Sequence, residues 1–323
     1  MPWFSFHFQD FAFSFLSVLF EGIPFLLLGS LISGFVDVFV SSERIARLLP
    51  KSPTASILLC GLLGLIFPMC ECGSVVVIRR FLKKGLPLSS AVTYMLATPI
   101  VSPIVALSTY AAFKGQSPLE MTVMRLTLGF AVAAIVGLIV QKLPTSMILR
   151  PGALGETPVA RRRTGLSVSA APPSDTVNFS DIAQSAGFGQ KLLLSVQSAT
   201  ADFLDVTVFL IIGAAVAATF NTAVNQEIIL PFATKTPVAI GSLMTLRSLL
   251  SICSTTDAFI IASFSTFPFA AKLAALVFGP LFDFKLFWLY NMLFKTRAVI
   301  VLAIGLFVVI GLVCWRVSGI VGF

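Results

Sequence analysis

The chain is 323 residues long, 57% of them hydrophobic and only 11% charged, whereas a soluble domain carries about a quarter charged residues. That excludes a soluble globular fold, and the length of the apolar runs excludes a β-barrel, whose strands read as short alternating segments. The formal net charge of +8 does not point to nucleic acid, because the bases collect at the ends of apolar runs and in one central linker, where charge sets membrane topology.

At the N-terminus, "MPWFSFHFQDF" has no basic residue ahead of its apolar run, so the first segment, 11–36, is expected to be retained rather than cleaved as a signal peptide. Further apolar runs follow at 54–69, 86–113, 121–140, 203–224, 237–264, 268–294 and 298–315, each about long enough to span or re-enter a bilayer. The expected fold class is an all-α polytopic membrane protein. His7 is the single histidine, so histidine-based metal or acid–base motifs are absent. The cysteines, Cys60, Cys70, Cys72, Cys253 and Cys314, do not read as a disulfide framework.

The run at 54–69 continues into "FPMCECGSVVVIRRFLKKGLP", residues 67–87, where Glu71 stands between two thiols. Both flanks are basic, Arg44, Arg47 and Lys51 before, Arg79, Arg80, Lys83 and Lys84 after, so the positive-inside rule puts both in the cytoplasm. Residues 54–82 then form a re-entrant hairpin with "PMCECG" at its tip, bracketed by Pro68 and Gly73. Each arm of about 13 residues reaches roughly 20 Å, past mid-membrane. The alternative is a chain of eight full spans, which would place "RRFLKK" outside.

The chain reads as two copies. "EGIPFLLLG" resembles "DVTVFLIIG", with Glu21/Asp205, Phe25/Phe209, Gly29/Gly213 and Pro53/Pro237 each 184 apart, and Cys72/Cys253, Pro87/Pro268 and Pro99/Pro280 each 181 apart. The second hairpin would be 237–265 with Cys253 at its tip, and its exit, "SFSTFPF", carries no base. Three crossings and one hairpin per half invert the second copy, the plan of secondary transporters with broken helices at the midplane. Residues 1–142 form the first repeat and 198–323 the second. Between them, 143–197 is a flexible linker rich in Pro, Gly, Ser and Ala, with more bases than acids, and cytoplasmic by charge.

Each half holds a second break. Pro99 and Pro103 interrupt the span 86–113; Gly279 and Pro280, followed by Asp283, interrupt 268–294. Charged residues in the membrane are functional candidates by default: Glu21, Glu71, Asp202, Asp205, Arg247, Asp257, Asp283 and Lys285. Glu21 and Asp205 recur in both copies. Arg247 is placed to neutralise Glu71, Asp257 or Asp283. Thiolates suit soft ions, and pseudo-symmetry would bring Cys253 to Cys70 and Cys72, making a metal- or metalloid-coordinating site. Glu71, Asp257 and Asp283 would balance charge there or carry protons.

The segments "FPMCECG…VIRRFLKKGLPLSSAVTYMLATPIVSPIVALSTY", "SICSTTDAFIIASF" and "GPLFDFKL" together resemble the ArsP/YraQ-type permease family over almost the whole chain outside the linker. The resemblance implies an inner-membrane permease exporting organoarsenicals or related thiophilic species, with the cysteines carried over as Cys70, Cys72 and Cys253, and in some relatives a small second membrane component. "SVVV" stands where family members often have a proline, and Glu71 where many arsenical exporters have serine, which leaves metal cations open beside arsenicals.

The expected function is a secondary transporter of a thiophilic solute (an organoarsenical, arsenite or antimonite, or a soft metal ion), multi-pass in the cytoplasmic membrane, not an enzyme and calling for no cofactor. The chain carries no P-loop for ATP hydrolysis. Two other classes stand beside it: a membrane thiol oxidoreductase, and a membrane subunit of a larger complex. A homodimer is left open as a further partner, and no nucleic-acid partner is expected.

Overall fold

The structure, a computed structural model, describes residues 8–40, 45, 47–50, 52–66, 69–150, 188–223 and 236–321. Helices α1 (Phe8–Phe39), α2 (Pro53–Leu62), α3 (Glu71–Lys83), α4 (Leu88–Val101), α5 (Pro103–Ala112), α6 (Pro118–Gln141) and the single turn α7 (Thr145–Ile148) make the first half. The second half consists of α8 (Phe188–Ala223), α9 (Thr236–Leu250), α10 (Asp257–Ser263), α11 (Phe269–Leu281), α12 (Phe284–Leu293) and α13 (Thr296–Val321). There is no strand among the described residues, only an isolated bridge between Leu149 and Phe294 that ties the end of the first half to the end of α12.

Among the described residues, six segments are long and apolar enough to cross a bilayer: α1, α4–α5, α6, α8, α11–α12 and α13. The chain is an all-α polytopic membrane protein. Helices α2 and α9, with 10 and 15 residues, are too short to span alone, since crossing takes about 20 residues. The same sequence of elements runs twice: a long helix, a short apolar helix, a tip followed by a helix, a broken helix, and a closing long helix.

Burial separates these into centre and periphery. In α4–α5 and α11–α12, 78% of the apolar window is buried, against 22–39% in the other four long segments. The broken helices therefore form the core, and α1, α6, α8 and α13 present exposed Leu, Ile, Val and Phe outward. In lipid that arrangement is stable, because hydrocarbon is as good a neighbour for these side chains as protein, while each backbone polar group is satisfied within its helix.

The breaks have local causes. Pro103 opens α5 at its first turn, where a missing N–H costs nothing, and Ser102 before it is extended and caps the helix through its hydroxyl. Pro99 stays inside α4 and does not end it. In the second half Pro280 lies inside α11, and the break falls just after, at the extended residues Phe282 and Asp283.

Helices α1 and α8 lie against each other. Gly34 allows this, because a Cβ there would collide with the Ser195 carbonyl and Ala199. Across the same contact Ser33 donates to Asp202 at 2.7 Å and Ser198 to Asp37 at 2.9 Å. The expected linker, 143–197, falls mostly on residues 151–187, outside the described residues. Of its described ends, 145–148 form α7 and 188–197 open α8. Arg44, Lys51 and Pro68 also lie outside the described residues.

Candidate functional site

Two tips meet at the centre. The first, residues 69–72, leads into α3, with Cys70 extended at the N-cap position and Glu71 as the first helical residue, where a carboxylate faces the positive end of the helix dipole. The second, residues 251–256, joins α9 to α10. Ser251 turns the chain there in the left-handed region, at φ 47°, a conformation that costs a non-glycine residue about 1–3 kcal/mol. Arg247, on α9, lies across Gly279 of α11, and a Cβ on that glycine would stand 2.6 Å from the guanidinium Nε.

The tips touch through Glu71. Its Oε2 accepts from Ser254 Oγ at 3.2 Å and faces Cys253 Sγ at 3.9 Å. Its Oε1 lies 2.8 Å from Lys285 Nζ. Cys70 and Cys72 stand on either side of Glu71 at the start of α3. All three thiols are free and buried.

Two charge groups make up the centre. Lys285 Nζ sits between Glu71 and Asp283, 3.5 Å from Asp283 Oδ2, and donates to the carbonyls of Ser251 and Ile252 at 3.1 and 3.4 Å. Asp283 also caps α12, its Oδ1 accepting from Leu286 N at 2.8 Å. Asp257 is held by Arg125 Nη2, at 3.0 and 2.9 Å from its two oxygens, and by Arg247 at 3.4 Å. Arg125 further donates to Thr109 and to the Ser254 carbonyl, and Arg247 to the Ile252 carbonyl. Glu71, Asp257 and Asp283 stand against Arg125, Arg247 and Lys285, three acids and three bases, each at most 4% exposed. A neutral buried cluster of this kind avoids the cost of an unpaired charge.

Of the residues singled out in the sequence, Glu71 and Cys253 face each other across the tips, Cys70 and Cys72 stand on either side of Glu71 at the start of α3, Asp283 meets Glu71 only through Lys285, and Asp257 lies in the neighbouring arginine group. Gly73 lies just beyond, against Gly29 of α1. Pro103 opens α5, whereas Gly279 and Pro280 lie in the last turn of α11, just before the break. Glu21 and Asp205 do not join the cluster: Glu21 accepts from Thr256 at 2.7 Å, and Asp205 pairs with Arg79 at 3.0 Å with its side chain half exposed. Among the described residues, no three Cys, His, Asp or Glu side chains stand close enough to hold a metal ion as the chain is arranged here. An apolar groove of about 270 Å³ between α6 and α13, lined by residues such as Val132, Ile139 and Leu302, carries no polar chemistry.

Sequence reasoning missed Arg125, although a lone arginine in the apolar run 121–140 was the signal. It also left Lys285 without a role. The bases of "RRFLKK" also make buried contacts: Arg80 binds Asp202 through Nε at 2.8 Å and Nη2 at 2.9 Å and reaches Asp37 at 3.1 Å, while Lys84 donates to the carbonyls of Asp37 and Val40 at 2.7 and 2.6 Å.

Residues 7–318 match the family model ArsP_1, described as "Predicted permease". The chain belongs to the ArsP_1 family of predicted permeases. The permease is 35% identical over 298 residues to the Bacillus subtilis UPF0718 protein YcgR, covering 92% of each chain. It is 32% identical over 287 residues to a Streptococcus mutans protein named "Putative two-component membrane permease complex subunit", covering 88% of this chain and 87% of that one. No solved structure matches the permease. Family and helices together make it a multi-pass protein of the cytoplasmic membrane.

Proposed function

We propose that the chain is a secondary permease that carries a thiophilic solute (a soft metal ion, arsenite or antimonite, or an organoarsenical) across the cytoplasmic membrane. The reading rests on one contact above all: Cys253 of the second tip faces Glu71 of the first at 3.9 Å, in the buried centre, with Cys70 and Cys72 flanking that acid. Sulfur ligands suit soft ions, and the carboxylate favours a positively charged form of the solute. In this reading α2 with α3, and α9 with α10, are hairpins that re-enter from opposite faces. The two halves, 1–142 and 198–323, are then inverted copies, and transport is a rocking of one half against the other.

Flux decides it. Purified protein in liposomes should move Cd²⁺ or methylarsenite, and Cys72→Ser should abolish that movement without altering elution from a sizing column. Equal flux in wild type and Cys72→Ser overturns the reading.

A second reading has an observation of its own. One relative is named as a subunit of a two-component membrane permease complex, and a small second component would complete the transporter here too. Flux that appears only when a co-purifying membrane protein is present would favour it.

A further inference from the structure

The groove between α6 and α13 is apolar along its length, but one end of it opens among bases. Val136 and Val140 of α6 form one wall, and Leu302 and Leu306 of α13 the other. Val92 and Met95 of α4, both buried, also line it. On α13 the lining runs from Ala298 to Val309, roughly 17 Å of helix. The groove is therefore about one leaflet deep in a hydrocarbon core of ~30 Å.

Four bases stand at the end where α6 stops and α13 starts. Lys142 adjoins the lining residue Leu143, Arg150 comes two after Ile148, Lys295 follows Phe294, and Arg297 precedes Ala298. Backbone pairing draws these pieces into one corner: Arg150 N donates to the Leu293 carbonyl at 3.0 Å and Lys295 N to the Ile148 carbonyl at 2.8 Å. Residues 142–150 and 291–300 contain no acid. Among the described residues none of the four bases makes an ion pair; the side chains of Arg150 and Lys295 donate only to the carbonyls of Asn291 and Ser146. Lys142, Arg150 and Arg297 are exposed. Uncompensated positive charge at the mouth of an apolar slot is complementary to an amphiphile with an anionic head.

We propose that this groove binds an anionic phospholipid of the inner leaflet, one acyl chain lying between α6 and α13 and the headgroup phosphate resting on the basic corner. Basic pockets between membrane helices on the cytoplasmic side take such headgroups, and the positive-inside rule puts this corner on that side. Helix α6 belongs to the first half of the chain and α13 to the second, so the lipid lies across the seam between them, against α4 of the core. The site is separate from the thiols and acids of the tips and does not depend on which solute is carried.

The test titrates the delipidated full-length protein in detergent with dioleoyl phosphatidylglycerol or dioleoyl phosphatidylcholine, and reads bound lipid by native mass spectrometry. Wild type should favour phosphatidylglycerol by about 25-fold or more, since each base near the membrane surface adds about fivefold for an anionic lipid. Lys142→Gln with Arg297→Gln should weaken phosphatidylglycerol by about 25-fold and leave phosphatidylcholine unchanged. Gly305, which lines the groove and has open space around it, tests the chain rather than the head. Gly305→Leu should weaken both lipids by about tenfold, the effect of displacing two or so methylenes. Equal binding of the two lipids by wild type overturns the proposal, because the groove then holds only bulk lipid. So does phosphatidylglycerol binding that neither variant changes. Wild type that retains no lipid overturns it too, with another segment of the chain or a second copy filling the groove. If the double variant does not elute as a folded protein, the wild-type preference and Gly305→Leu still decide.

Discussion

Arg125 of α6 and Asp257 at the start of α10 form a buried ion pair at 2.9 Å, joining the first half of the chain to the tip of the second. Both side chains are essentially inaccessible, 1% and 0% exposed. Arg125 also reaches the Ser254 carbonyl on that tip, so one guanidinium fixes the tip at two points. Arg247 approaches the same carboxylate from α9, at 3.4 Å. Such an arrangement orients the tip; its net contribution to stability is small while intact, because desolvating the charges offsets their attraction.

Breaking it is another matter. Arg125→Met should destabilise the protein by about 3 kcal/mol, the lower end for removing one partner of a buried pair, since Arg247 still faces Asp257. Asp257→Asn leaves two guanidiniums without their carboxylate and should cost about 5 kcal/mol or prevent folding. Unfolding midpoints in denaturant-titrated detergent micelles would show whether the order holds.

Arg80 clamps α3 to α1 and α8 through its bidentate contact with Asp202 and its third nitrogen on Asp37. Lysine offers a point charge in place of that planar fork. Arg80→Lys should therefore lower stability by about 1–2 kcal/mol despite conserving charge. The loss should persist at high salt, because a pair this enclosed is poorly screened. Thermal melts of the solubilised protein in low and high salt would test both statements.

Gly29 meets Gly73 where α1 crosses α3, and a Cβ on Gly29 would stand 2.8 Å from the Gly73 Cα. Gly29→Leu should push the helices apart and cost about 1–3 kcal/mol or more, as overpacking does. Gly305 of α13 has open space around it, so Gly305→Leu should be neutral or stabilising by up to about 1 kcal/mol through helix propensity. Comparable losses in the two variants would show that the contact at Gly73 does not constrain α1.

Asp283 does two jobs, capping α12 and facing Lys285. Asparagine caps about as well as aspartate. Asp283→Asn should therefore stay about 1 kcal/mol more stable than Asp283→Ala, while both weaken Cd²⁺ binding alike. Measuring stability and binding on the same two preparations separates the roles; equal stability would remove the capping role.

Much of this protein is legible in its sequence. Unbroken apolar runs at 1.5 Å per residue can do little in a bilayer except form helices, so the all-α class follows from composition, while the division of eight apolar runs into six long segments and two short helices among the described residues comes from the structure. The break before Pro103 was legible in part: a proline disfavours the helix before it, and Pro103 does open a new helix, yet Pro99 in the same span stays inside α4. The break in α11–α12 was less so: Pro280 sits within the helix, and the chain breaks at Asp283, whose side chain offers the cap that starts α12. The two tips were marked by their cysteines and by Glu71, an acid that hydrocarbon would not tolerate unpaired.

The pairing of charges was not legible. Nothing in "MTVMRLTLGF" says that Arg125 will find Asp257, 132 residues further on, and nothing in "FDFKLF" says whether Lys285 turns to its neighbour Asp283 or across to Glu71. Hydrophobic periodicity and charge at loop ends act along one segment at a time, and they determine which segments are helical and buried. Which acid neutralises which base is fixed only when distant segments are brought within about 4 Å, since Coulomb energy in a low-dielectric interior falls off with a distance that the linear sequence does not contain.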